Sequence, residues 1–76
     1  MNYDLDTPQG MENAKRWMAN TLAQLKHNGV WVVPRTGTTV QFDQQAKTAK
    51  VASFLPDPSI ARVLREMGFS VTETLV

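Results

Sequence analysis

Apolar positions in this 76-residue chain repeat first with a helical period, then with a strand period, then with a helical period again. The first stripe runs Met11, Ala14, Trp17, Met18, Thr21, Leu22 and Leu25. That is the i, i+3, i+4, i+7 spacing of one helix face. Glu12, Asn13, Lys15, Arg16, Asn20 and Lys26 fall mostly outside it. Thr7 is a good N-cap and Pro8 suits the first helical position. Lys26 and His27 complement the negative end of the helix dipole. Asn28-Gly29 reads as a C-terminal stop, with Val30 placed for a Schellman contact. The pattern predicts a helix over 8–28, preceded by an extended arm over 1–6 that Tyr3 and Leu5 can tuck onto the body.

From about 30 to 54 the period drops to two. A two-residue turn at Thr36-Gly37, with φ > 0 at Gly37, sets Val33 opposite Val40 and Trp31 opposite Phe42. A second loop at 44–47 sets Phe42 opposite Ala49 and Val40 opposite Val51. Both registers gather Trp31, Val33, Val40, Phe42, Ala49 and Val51 on one face, since side chains alternate along a strand. The opposite face then carries Val30, Val32, Thr39, Gln41, Asp43, Thr48, Lys50 and Ala52. A one-residue slip in either pairing would scatter both sets. Pro34 has no amide to give a ladder and belongs at an edge or a strand end.

Asp57 and Pro58 repeat the N-cap and first-position pairing. Ile60, Val63, Leu64 and Met67 then give a second helical stripe, with Arg62, Arg65 and Glu66 facing away from it. Gly68 ends this helix and Phe69 can fold back on its last turn. Residues 69–75 alternate weakly and read as a fourth strand or a loose tail. Two helical stripes and one apolar sheet face satisfy each other in a single α+β domain: an antiparallel meander of three to four strands with both helices on one face, in the order α-β-β-β-α-(β).

Size and charge narrow the function. A chain of this length buries only about 60–65% of its unfolded surface, and with no cysteine neither disulfides nor thiolate metal ligands reinforce it. The net charge of +1 exerts no overall pull on nucleic acid. No apolar run approaches the roughly 20 residues that span a membrane. The start Met1-Asn-Tyr-Asp-Leu-Asp6 lacks the basic and apolar regions of a signal peptide.

Catalytic chemistry finds few candidates. His27, the sole histidine, is accounted for by its helix end, and no spaced ligand set accompanies it. Asp57 caps a helix and Asp43 is placed to bracket the 44–47 loop. Glu12 with Arg16 and Arg62 with Glu66 are i, i+4 pairs. No acid–base dyad is left over, so the residues argue against an enzyme and call for neither cofactor nor metal. The 34–39 loop, Pro-Arg-Thr-Gly-Thr-Thr, offers hydroxyls and Arg35 to a phosphate, but it lacks the Walker pattern and is needed to close a hairpin. Both Trp17 and Trp31 fall on core faces. That leaves Val30 and Val32, apolar residues on the polar face. One reading makes them the centre of a protein contact rimmed by Thr39, Gln41 and Lys50; the other covers them with the arm, through Tyr3 or Leu5.

Three stretches, MENAKRWMANTL at 11–22, GVWVVPRTGT at 29–38 and PDPSIARVLREMGF at 56–69, together resemble small accessory and regulatory proteins of tailed bacteriophages. The resemblance is one of overall pattern and brings no site motif with it. It implies a bacterial cytoplasm and a protein that works by binding, either blocking or redirecting a host enzyme or serving in phage gene control. Two functions follow as expectations. The first is a non-enzymatic module that modulates or inhibits a host protein through Val30, Val32, Thr39, Gln41 and Lys50, a homodimer being a further possibility. The alternative is a nucleic-acid-binding regulator using a basic patch of Arg35, Lys50, Arg62 and Arg65. A steep salt dependence of binding separates the second from the first.

Overall fold

The computed structural model describes residues 3–25, 28–33, 36–53 and 58–75. His27, Pro34, Arg35 and Asp57, together with Lys26, Leu55 and Pro56, lie outside the described residues. Six elements follow one another: α1 (Pro8–Gln24), β1 (Asn28–Val32), β2 (Thr39–Asp43), β3 (Thr48–Ser53), α2 (Pro58–Glu66) and β4 (Ser70–Leu75). The four strands form one sheet in the order β1-β2-β3-β4. The α-β-β-β-α-β order and the α+β class are those expected, and 69–75 resolves into a strand rather than a tail.

One part of the expected architecture is corrected. β1, β2 and β3 are antiparallel neighbours, but β4 lies parallel to β3. Parallel neighbours need a long crossover. Here α2 supplies it, leaving β3 and returning the chain to the start of β4, so the sheet is mixed.

α1 begins as expected. Thr7 is extended at φ −109° and ψ 147°, its hydroxyl accepts from the Gly10 amide, and Pro8 occupies the first turn. Gly10 is required there, because a Cβ on it would run into the carbonyl of Asp4. That carbonyl accepts from the Thr7 amide and hydroxyl. Residues 3–6 are thus a turn folded against α1, not an extended arm. Arg62 on α2 holds it by donating to the Asp6 carboxylate and the Leu5 carbonyl, each at 3.1 Å.

α1 ends at Gln24, earlier than the helix over 8–28, and Asn28 and Gly29 are the first residues of β1. The carbonyl of Leu22 explains the stop. It accepts from the Leu25 amide at 3.1 Å and from the Gln44 side-chain amide at 2.9 Å. A cap from 22 residues away replaces the local Asn-Gly stop, and a Cβ on Gly29 would lie 3.5 Å from the Phe42 ring.

The second hairpin has the expected register, Phe42 opposite Ala49 and Val40 opposite Val51. The Asp43 carboxylate brackets its loop, accepting from the amides of Gln45 and Ala46. The first hairpin is shifted by two residues. Trp31 faces Val40 and Gly29 faces Phe42, while the Val33 amide donates to Thr38 at 2.8 Å. The loop closed by the Val33–Thr38 bond spans four residues, 34–37, instead of two. Gly37 still takes positive φ, at 68°. Because the shift is even, no side chain changes face.

Those faces divide sharply. Val40, Phe42, Ala49 and Val51 are buried against Ala14, Met18 and Leu22 of α1 and Ile60, Ala61, Val63 and Leu64 of α2, with Trp31 and Val33 packed on the margin. α2 closes with the Schellman pattern: Phe69 N–H to Leu64 O and Gly68 N–H to Arg65 O, both 3.0 Å, with Gly68 at φ 94° and Phe69 buried.

Two expected ion pairs are re-partnered. Glu12 meets Lys15, not Arg16, and Arg62 meets Asp6, not Glu66. An i, i+4 spacing permits a pair, but Arg62 has a carboxylate and a carbonyl together on the turn it holds.

Candidate functional site

With both helices on one side, the sheet's other face has no covering element among the described residues. Three rungs cross it. Val32, Thr39, Ala52 and Thr74 form one; Val30, Gln41, Lys50 and Thr72 the next; Asp43, Thr48 and Ser70 the third. Strand alternation puts these side chains on one surface because every neighbouring register keeps the same parity.

The surface is graded from apolar to polar. Val30 and Val32 sit side by side on edge strand β1, each 54% exposed. Gln41 and Lys50 are exposed in the middle, and Thr72 and Thr74 are exposed on β4. A shallow depression of about 440 Å³ lies toward the β4 side, lined by Gln41, Asp43, Thr48, Lys50, Ser70 and Thr72. Its groups are hydrogen-bond donors and acceptors with one cation and one carboxylate, and that carboxylate already orders the 44–47 loop.

The two readings of Val30 and Val32 now separate. Tyr3 and Leu5 lie on the helix side: the Tyr3 ring sits tilted 6.5 Å from that of Trp17, and Leu5 packs on the core. The turn at 3–6 therefore does not cover the valines. Val30, Val32, Thr39, Gln41 and Lys50 share one face, as their alternation implied. β4 adds Ser70, Thr72 and Thr74, which sequence reasoning did not include. The signal was there in the alternation of 69–75, but it gained a face only once β4 paired with β3.

The three described residues of the expected basic patch, Lys50, Arg62 and Arg65, do not come together. Lys50 is on the open face, whereas Arg62 and Arg65 are on α2, across the sheet. Arg62 is occupied by Asp6, and Arg65 by the Glu73 carboxylate at 3.0 Å and the Val71 carbonyl at 3.2 Å. Lys47 lies 5.0 Å over the Phe69 ring. The hydroxyls of the first loop face each other, Thr36 donating to a fully buried Thr38 at 2.8 Å. Trp17 and Trp31 meet edge to face at 5.3 Å, and both pack against the core. Among the described residues no three His, Cys, Asp or Glu gather as metal ligands, and no buried side-chain polar atom lacks a partner. No helix described is long and apolar enough to cross a membrane.

No family model matches the chain, and neither curated proteins nor solved structures give a significant match. A functional reading therefore rests on the geometry of this face.

Proposed function

We propose that this protein is a non-enzymatic binding module that engages another protein through the open face of its sheet. The observation that carries the reading is the pair Val30 and Val32, half exposed and adjacent on a face that neither helix nor the 3–6 turn covers. Thr39, Gln41 and Lys50 border them, and Thr72 extends the border. An apolar centre with a hydrogen-bonding margin is the composition of a modest protein interface. Phosphate recognition needs clustered cations instead. The resemblance to small phage proteins supports the finer reading, that the partner is a bacterial host protein whose activity is modulated or inhibited in the cytoplasm.

The test compares wild type with Val32→Glu and Lys50→Glu for capture of proteins from bacterial lysate, with a circular dichroism melt on each variant. Both positions are exposed, so the melts should coincide. A glutamate at 32 would have to be desolvated without a counter-charge in the contact, so a partner held by wild type should be lost. Undiminished capture by both folded variants would exclude this face.

A further inference from the structure

The two edges of the sheet are built differently. On β4 the Ser70 amide donates inward to Lys47 O at 2.7 Å. Alternation then turns the backbone groups of Ser70, Thr72 and Thr74 toward β3 and those of Val71, Glu73 and Leu75 outward. That outer edge is blunted. Arg65 lies across it, donating to the Val71 carbonyl and the Glu73 carboxylate, and a charge on the strand is a usual guard against further pairing.

Among the described residues β1 has no such guard. Val33 donates its amide to Thr38 and accepts from Gly37, both on the β2 side. The same alternation turns Gly29 and Trp31 inward and the backbone groups of Asn28, Val30 and Val32 outward. Among the described residues nothing bonds to the Val30 or Val32 backbone. The strand, Asn-Gly-Val-Trp-Val, carries no charge and no proline. It is apolar on both sides of its free edge, with Val30 and Val32 below and Trp31 against Trp17 above.

The strand is also complementary to itself. About a twofold axis at Val30, an antiparallel partner sets Val30 opposite Val30, Asn28 opposite Val32 and Gly29 opposite Trp31. All the outward backbone groups then pair. On the upper side each Trp31 meets the other copy's Gly29, which has no side chain to obstruct it, and cross-strand aromatic cover of glycine stabilises edges. On the lower side the two Val30 side chains come together. No like charges face each other anywhere along the pair.

We infer that this protein forms a twofold dimer through antiparallel pairing of β1 with β1 of a second copy, centred on Val30. The two sheets become one eight-stranded sheet, and the valine ends of the two open faces merge into one patch at its centre. This goes beyond the binding reading and does not depend on it.

Because the chain has no cysteine, Val30→Cys is a clean probe. Residues opposite one another in a hydrogen-bonded antiparallel pair have Cα atoms about 5.5 Å apart, within the span a disulfide bridges. Sedimentation of wild type from about 10 µM to 1 mM should show conversion to twice the 8.5 kDa chain mass. Val30→Pro removes an amide that β2 does not use, and Val30→Lys sets two cations on the axis. Each should weaken the dimer by about tenfold or more while circular dichroism stays native. Mild oxidation should cross-link Val30→Cys far faster than Thr74→Cys on the guarded edge. Wild type that stays monomeric throughout, a dimer untouched by Val30→Lys, or equal cross-linking at the two positions would each overturn the inference. A chain that is monomeric yet loses its lysate partner in Val32→Glu would refute the dimer and leave the open-face reading standing.

Discussion

Leu64 shows how much a single position reveals from sequence. It lies on an i, i+3, i+4, i+7 stripe, and the structure buries it completely between α2, α1 and the sheet. Replacing such a leucine by alanine costs about 2–5 kcal/mol, depending on how far the site collapses. Leu64→Ala should therefore lower the denaturation midpoint by that equivalent and bring so small a domain close to unfolding. A loss under about 0.5 kcal/mol, ordinary for surface changes, would place α2 wrongly. Residues whose roles depend on a distant partner were not legible in the same way. Nothing near Gln44 marks it as the cap of α1, and nothing near Arg62 marks Asp6 as its partner, because both contacts exist only after the chain has folded back. Asp43 was legible because the amides it accepts from are two and three residues away.

At the scale of elements, faces were readable and ends were not. Side-chain parity survives an even shift, so the buried set of the meander was correct even though the first hairpin is displaced by two residues. The local cue, glycine after threonine, indicates positive φ at Gly37 but leaves open whether the closed loop spans two or four residues. The parallel direction of β4 was hidden for a related reason: alternation says which residues share a face, and says nothing about strand polarity. The displaced register is checked by proton contacts. NMR should show cross-strand contacts between Trp31 and Val40 and between Val33 and Thr38, with none directly between the Trp31 and Phe42 backbones. The Val33 amide, bonded to Thr38, should exchange slowly with solvent. A Trp31–Phe42 backbone contact would restore the two-residue turn.

For the molecule as a whole, the distribution of charge matters more than its sum. A net +1 still permits a local basic surface, and Arg62, Arg65, Lys50 and Arg35 look like one in sequence. Folding separates Lys50 from the two α2 arginines by the thickness of the sheet and helix layer. Each arginine also holds a carboxylate, so α2 presents ion pairs rather than free cations. Binding to nucleic acid draws its affinity from cations that replace condensed counterions on several phosphates, and its logarithm falls with the logarithm of salt in proportion to their number. Among the described residues too few free cations are gathered for that mechanism. Fluorescence anisotropy with duplex DNA and single-stranded RNA should show no saturable binding at micromolar protein in about 50 mM salt, a condition that favours such contacts. Arg62→Ala and Arg65→Ala should change that baseline little, and because both pairs are partly exposed each should cost no more than about 1 kcal/mol of stability. Tight binding that collapses between about 50 and 200 mM salt, and that either alanine variant abolishes, would mean that the arginines leave Asp6 and Glu73 for phosphate and that the working surface is α2 rather than the open face.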